Sequence, residues 1–153
     1  MNNSSNGNEN VERALDYIKG VARMEKRFHS RSQYRWRLQA MAEGGSLCPL
    51  TSVSEGKFKE REARKARLEE LDRKLVKELI KLQAVREQTW ELFSRLSHPN
   101  AWQILEEFYL NGTPIRVIAA QNAYNERYVY RLKKQALREL GKLLRENGIE
   151  DPQ

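Results

Sequence analysis

Between Arg127 and Arg138 stand five basic residues, Arg127, Arg131, Lys133, Lys134 and Arg138, and no acid. Tyr128 and Tyr130 are interleaved with them, and Asn125-Glu126 opens the run. The chemistry open to such a set is charge-assisted hydrogen bonding to a polyanion. A guanidinium holds phosphate or a guanine edge bidentately, a lysine acts as a point charge, and a phenol meets a phosphate oxygen or a thymine methyl. On a helix the outward face comprises Glu126, Arg127, Tyr128, Tyr130, Arg131 and Lys134, with Glu126 suited to the positive end of the helix dipole. Early residues of that face are placed to meet base edges and later ones phosphates. The plainer alternative is a small bundle with a solvated basic helix; composition and spacing do not separate the two.

Other chemistry finds little support. His29 and His98, the only two histidines, are separated by 69 positions, and neither has metal-ligand spacing. Phosphate-cradling glycine loops and nucleophile elbows are missing. No enzyme, cofactor or metal is expected. Cys48 is the single cysteine, which excludes an internal disulfide and suits a reducing compartment. The polar start MNNSSNGNEN has no signal-peptide pattern, and no apolar run approaches a membrane span, so no membrane partner is expected and the chain reads as cytoplasmic. The net charge of +7 admits a polyanionic partner without demanding one.

The elements that must carry the basic run are three short helices. The first, from Trp102 to Leu110, follows Ser97 as N-cap with Pro99 in the first turn, and ends at Asn111-Gly112, where glycine supplies a left-handed C-cap. Thr113 then caps a second helix, Pro114 to Gln121, with proline at its first position. After a break at Asn122 to Asn125, a third helix runs from Asn125 or Glu126 to about Glu146. Short helix, tight turn and basic helix outline a helix-turn-helix. Its core is expected from Ile104, Leu105 and Phe108, from Ile115, Ile118 and Ala119, and from Val129, Leu132, Ala136 and Leu140. Ala119 is small where two helix backbones must approach.

Upstream, residues 1–8 read as a disordered tail. A helix from Glu9 carries Val11, Ala14, Ile18, Val21 and Phe28 on one stripe, which Tyr34, Leu38 and Met41 could extend to Ala42. Its middle, KRFHSRSQYRWR, reads either as a nucleic-acid patch with stacking aromatics or, preferably, as a solvated face whose aromatics are core. Residues 43–56 (EGGSLCPLTSVSEG) form a loop. Beyond it Leu68, Leu71, Leu75, Glu78, Leu82, Val85, Thr89, Leu92 and Leu96 recur three and four apart, a heptad pattern with Glu78 and Thr89 as polar exceptions. Val76, Leu79, Ile80 and Phe93 are expected to widen its buried stripe. The partner is the first helix folded back antiparallel, or a second copy of the chain. The fold class is therefore all-α: a long antiparallel helical hairpin or coiled coil over 9–96, a trihelical helix-turn-helix over 97–147, and a fraying tail at 148–153.

The run Ile118-Ala119-Ala120, then Asn125-Glu126-Arg127, Val129, Arg131-Leu132, Ala136-Leu137 and Leu140, preceded by Leu105, Tyr109-Leu110 and Gly112, resembles region 4 of bacterial sigma factors. It departs at the turn, where Asn122 replaces an apolar residue and Ala123 a glycine. The coiled coil followed by this unit resembles the small sigma-region-4-like regulators of phages and mobile elements of Gram-positive bacteria, of the ArpU and RinA type. The resemblance covers about 40 residues closely and the remainder in architecture alone. It implies a sequence-specific transcriptional regulator in a bacterial host cell, with double-stranded DNA as ligand, Thr113, Asn125, Glu126, Arg127, Tyr128, Tyr130, Arg131, Lys133, Lys134 and Arg138 at the DNA, RNA polymerase as a further contact and a homodimer through the long helices. The alternatives are a DNA-packaging component like a small terminase subunit, and a coiled-coil scaffold that binds no DNA.

Overall fold

The computed structural model describes residues 3–44 and 55–153. All regular structure among them is helical. Helix α1 spans Asn3–Gly44 and α2 Glu55–Ser94, giving the expected long N-terminal pair. Helix α3, Ala101–Leu105, runs on into a π-helical turn, Glu106–Leu110. Helices α4, Ile115–Gln121, and α5, Glu126–Glu146, complete the chain. No helix of the described residues is long and apolar enough to cross a membrane. The predicted loop 43–56 lies mainly outside the described residues, as does Cys48; Glu43 ends in α1 and Gly56 in α2.

Two compact units divide the chain. One is Glu25–Gln83; the other joins the residues up to Met24 with Ala84–Gln153. In the first unit α1 and α2 run antiparallel, because ascending positions on one meet descending positions on the other. Arg31 pairs with Glu78, and Arg35 grips Asp72 with Nε to Oδ1 at 2.8 Å and Nη2 to Oδ2 at 3.3 Å. The ion pair accounts for the charged heptad seat at Glu78. Two helices alone bury one narrow seam, so Leu68, Leu71 and Leu75 are half-buried. The expected widening fails here: Val76, Leu79 and Ile80 are exposed, as are Tyr34, Trp36 and Met41. Of the aromatics of the KRFHSRSQYRWR segment, Tyr34 and Trp36 are thus no core, while Phe28 is half-buried. Among the described residues of this unit there is no third helix to cover a wider stripe.

The second unit has two apolar clusters. The larger gathers Ala14, Tyr17, Ile18 and Val21 of α1, Leu92 and Phe93 of α2, Leu105 of α3, and Ala136, Leu137, Leu140 and Leu144 of α5. Tyr17, absent from the predicted stripe, is fully buried, and its hydroxyl lies 2.9 Å from Thr89 Oγ1. Thr89 in turn donates to the Val85 carbonyl at 2.7 Å, so the second polar heptad seat is satisfied within the core. The smaller cluster joins Ile104, Ile115, Ile118, Ala119, Val129 and Leu132, with Phe108, Tyr124 and Tyr128 packed on it. Ala136 and Leu140, expected in the core of the trihelical segment, belong to the larger cluster instead.

The described part of the first predicted tail is helical, and the second is held by contacts with α1. Residues 3–8 are the first turns of α1 rather than disordered, because α1 crosses α5 there. A Cβ built on Gly141 would lie 1.8 Å from the Asn10 carbonyl oxygen, so only glycine admits the crossing. At the other end Ile149 packs against the larger cluster and Pro152 lies against Gly20. Those contacts hold the last residues on α1.

Gly141→Ala is therefore expected to destabilise by about 2–3 kcal/mol or more, since backbone, not a pliable side chain, blocks the methyl. Lys142→Ala, one exposed position on, should be near neutral. Urea unfolding of the two variants checks this; equal midpoints would show that the helices do not cross at Gly141.

Candidate nucleic-acid interface

The apolar face of α5 is the starting point for its charged one. Val129, Leu132, Ala136, Leu137, Leu140 and Leu144 are buried, which turns Arg127, Arg131, Lys134 and Arg138 outward, all exposed. At 100° per residue these four fall within an arc of roughly 60° and along roughly 16 Å of helix. None forms an ion pair with a described residue. Tyr130 (52% exposed) and Glu126 flank the stripe. Arg138 at its far end reaches alongside Gly7 of α1.

The remaining predicted residues are used otherwise. Asn125 is the N-cap of α5, its Oδ1 accepting from the Tyr128 amide at 2.8 Å. Tyr128 is half-buried, edge-on to Tyr124 and His98. Lys133 lies 4.2 Å from the centre of the Phe108 ring and 5.3 Å from that of Tyr130, and its partial burial lowers the ammonium pKa. Thr113 is not the N-cap of α4. Pro114 holds that position, while the Thr113 hydroxyl donates to Glu107 Oε2 at 2.6 Å and its amide to the Glu107 carbonyl at 2.8 Å. The π-helical turn before it ends at Leu110 with Asn111 as cap residue, and Gly112 just beyond takes the left-handed conformation expected there, with φ 70°. The structure thus brings four cations, Tyr130 and Glu126 to one surface and turns Asn125, Tyr128, Lys133 and Thr113 to support. Arg116, exposed in the first turn of α4, stood outside the charge run and was not anticipated.

The turn between α4 and α5 closes on its own hydrogen bonds. The Tyr124 amide reaches the Ala119 carbonyl at 2.9 Å, and the Ala123 amide the Ala120 carbonyl at 3.4 Å, the paired bonds of a Schellman motif. Ala123 occupies the left-handed position with φ 54°, where the resemblance calls for glycine. Asn122, in place of an apolar residue, donates its side-chain Nδ2 to the Ile118 carbonyl at 2.8 Å. Both departures are thereby reconciled with a tight turn. At the start of the segment, Ser97 is no helix cap: its amide donates to Glu139 Oε2 at 2.9 Å and its hydroxyl to Oε1. Helix α3 begins at Ala101, with Asn100 as cap residue. Desolvation raises the Glu139 pKa, but the hydrogen bonds from Ser97 and Gln135 and the nearby His98 outweigh it, so the carboxyl is held below its ordinary value.

Comparisons with family models, with curated proteins and with solved structures return no match to this chain.

Ala123→Gly should raise stability by about 0.5–1 kcal/mol, because relief of the left-handed strain exceeds the added freedom of the unfolded chain. Thermal unfolding checks it, and a lowered midpoint contradicts it. The Ser97–Glu139 contact makes a pH-dependent contribution. A depressed carboxyl pKa gives stability that is complete above the ordinary value of 4.5 and lost as pH falls through the folded value. The difference in urea midpoint between wild type and Ser97→Ala should accordingly shrink from neutral pH to well below 4.5; a constant difference contradicts it.

Proposed function

We propose that this chain is a sequence-specific, DNA-binding transcriptional regulator of the sigma-region-4-like kind, phage- or mobile-element-encoded, in which α4, its turn and α5 act as a helix-turn-helix. The observation that carries the reading is the unpaired stripe Arg127, Arg131, Lys134 and Arg138 on the face of α5 opposite its core. A merely solvated helix has no need to line up four cations on one face with no acid between the first and the last. Arg127, in the first turn, is assigned to a base edge, Arg131 to a base edge or the adjacent backbone, and Lys134 and Arg138 to phosphates. The left-handed turn at Ala123 further supports it, since a short tight turn is what sets a recognition helix against its predecessor. In the same proposal two copies pair through the long helices, whose exposed Val76, Leu79 and Ile80 offer an apolar face, and RNA polymerase is a further contact.

Selection of bound duplexes from a random pool tests this. The expected result is an enriched motif, repeated as two half-sites for a dimer. Arg127→Ala should cost about 1–3 kcal/mol at one position of that motif. Lys134→Ala should weaken all sequences alike and flatten the salt dependence by about one unit. A pool without enrichment contradicts the reading.

A further inference from the structure

A second concentration of positive charge lies in the Glu25–Gln83 unit, remote in sequence from α5. The last turns of α1 and the first turns of α2 enclose a cleft of about 490 Å³. Its walls carry Arg35, Lys57, Arg61, Arg64 and Lys65 against the carboxylates Glu43 and Glu60, over a floor that includes Leu68. Arg35 is committed to Asp72. The other four cations have no ion pair among the described residues. They occupy positions one and two turns apart on one side of α2, a row of roughly 12 Å.

From this we infer that the cleft is a sequence-independent binding site for the phosphodiester backbone of nucleic acid. A row of that length fits successive phosphates of a polymer better than one compact anion. The apolar floor and the aliphatic stems of the cations keep water from competing on one side. The site is separate from α5, so the inference does not rest on the reading of α5 as a recognition helix.

The test uses the full chain and a short duplex of random sequence, with affinity measured as a function of salt. In the quadruple variant Lys57→Gln, Arg61→Gln, Arg64→Gln, Lys65→Gln, the slope of log affinity against log salt should fall by about 3.6, since each neutralised phosphate contributes roughly 0.9. A matched variant removes the same charge from α2 outside the cleft: Arg73→Gln, Lys74→Gln, Lys77→Gln, Lys81→Gln. It should leave the slope within about one unit of wild type. Circular dichroism establishes that both fold. An unchanged slope in the cleft variant, or equal losses in both variants, overturns the inference. Failure of the α5 reading would look different: no enriched motif in the selection, with the cleft variant still flattening the salt dependence.

Discussion

The constraint on which the second unit depends is that one helix, α5, must close two cores. Its first turns put Val129 and Leu132 against Ile104, Ile115 and Ile118. Its later turns put Leu137, Leu140 and Leu144 against Tyr17, Ile18 and Leu92. A rotation of α5 by one position would expose both sets at once. Each fully buried Leu or Ile is worth about 1.5–3 kcal/mol, so the penalty far exceeds anything the surface charges could offset. The orientation of the cationic stripe is therefore enforced from inside. Gly141 adds an axial restraint, because its contact with the Asn10 backbone leaves no room for sliding.

The Glu25–Gln83 unit is held by different means. Its seam of half-buried leucines is supplemented by the Arg31–Glu78 and Arg35–Asp72 pairs. Exposed ion pairs contribute about 1 kcal/mol or less each, so specificity of register rather than stability is their contribution: a shift of either helix by one turn would separate both pairs together. The exposed Val76, Leu79 and Ile80 are the mark of a helix pair without a third partner in its own unit. Segments with few buried apolar contacts lie at the low end of local stability.

Much of this arrangement was legible in the sequence because it follows from periodicity. The boundaries of α5, the left-handed cap at Gly112 and the core positions Ile104, Ile118 and Val129 are local properties of spacing, glycine and capping residues. What escaped was set by tertiary partners. Tyr17 is absent from the stripe expected for α1, yet it is buried and its hydroxyl finds Thr89, a polar exception in the heptads of α2. The helicity of residues 3–8 depends on α5, more than a hundred positions away in the chain. Conversely Val76 and Ile80 look like core by composition, and only the absence of a covering helix makes them surface. Among the candidate interface residues, charge separated the four exposed cations from their surroundings, but could not reveal that Lys133 folds onto Phe108 or that Thr113 answers to Glu107.

That last distinction bears on how a nearly neutral segment presents a locally cationic surface. Residues 96–153 hold eight basic side chains against seven acidic ones, which on net charge alone argues against nucleic acid. Three of the seven acids, however, have partners of their own. Glu139 takes the Ser97 amide and hydroxyl, Glu107 takes Thr113, and Glu146 faces Lys142 at 3.9 Å. The cations at 127, 131, 134 and 138 share one unpaired face. Screening in physiological salt cuts off fields beyond about 8 Å, so an approaching phosphate responds to that face and not to the sum over the segment. Local separation of charge, produced by the same packing that buries the opposite side of α5, is what gives the surface its sign.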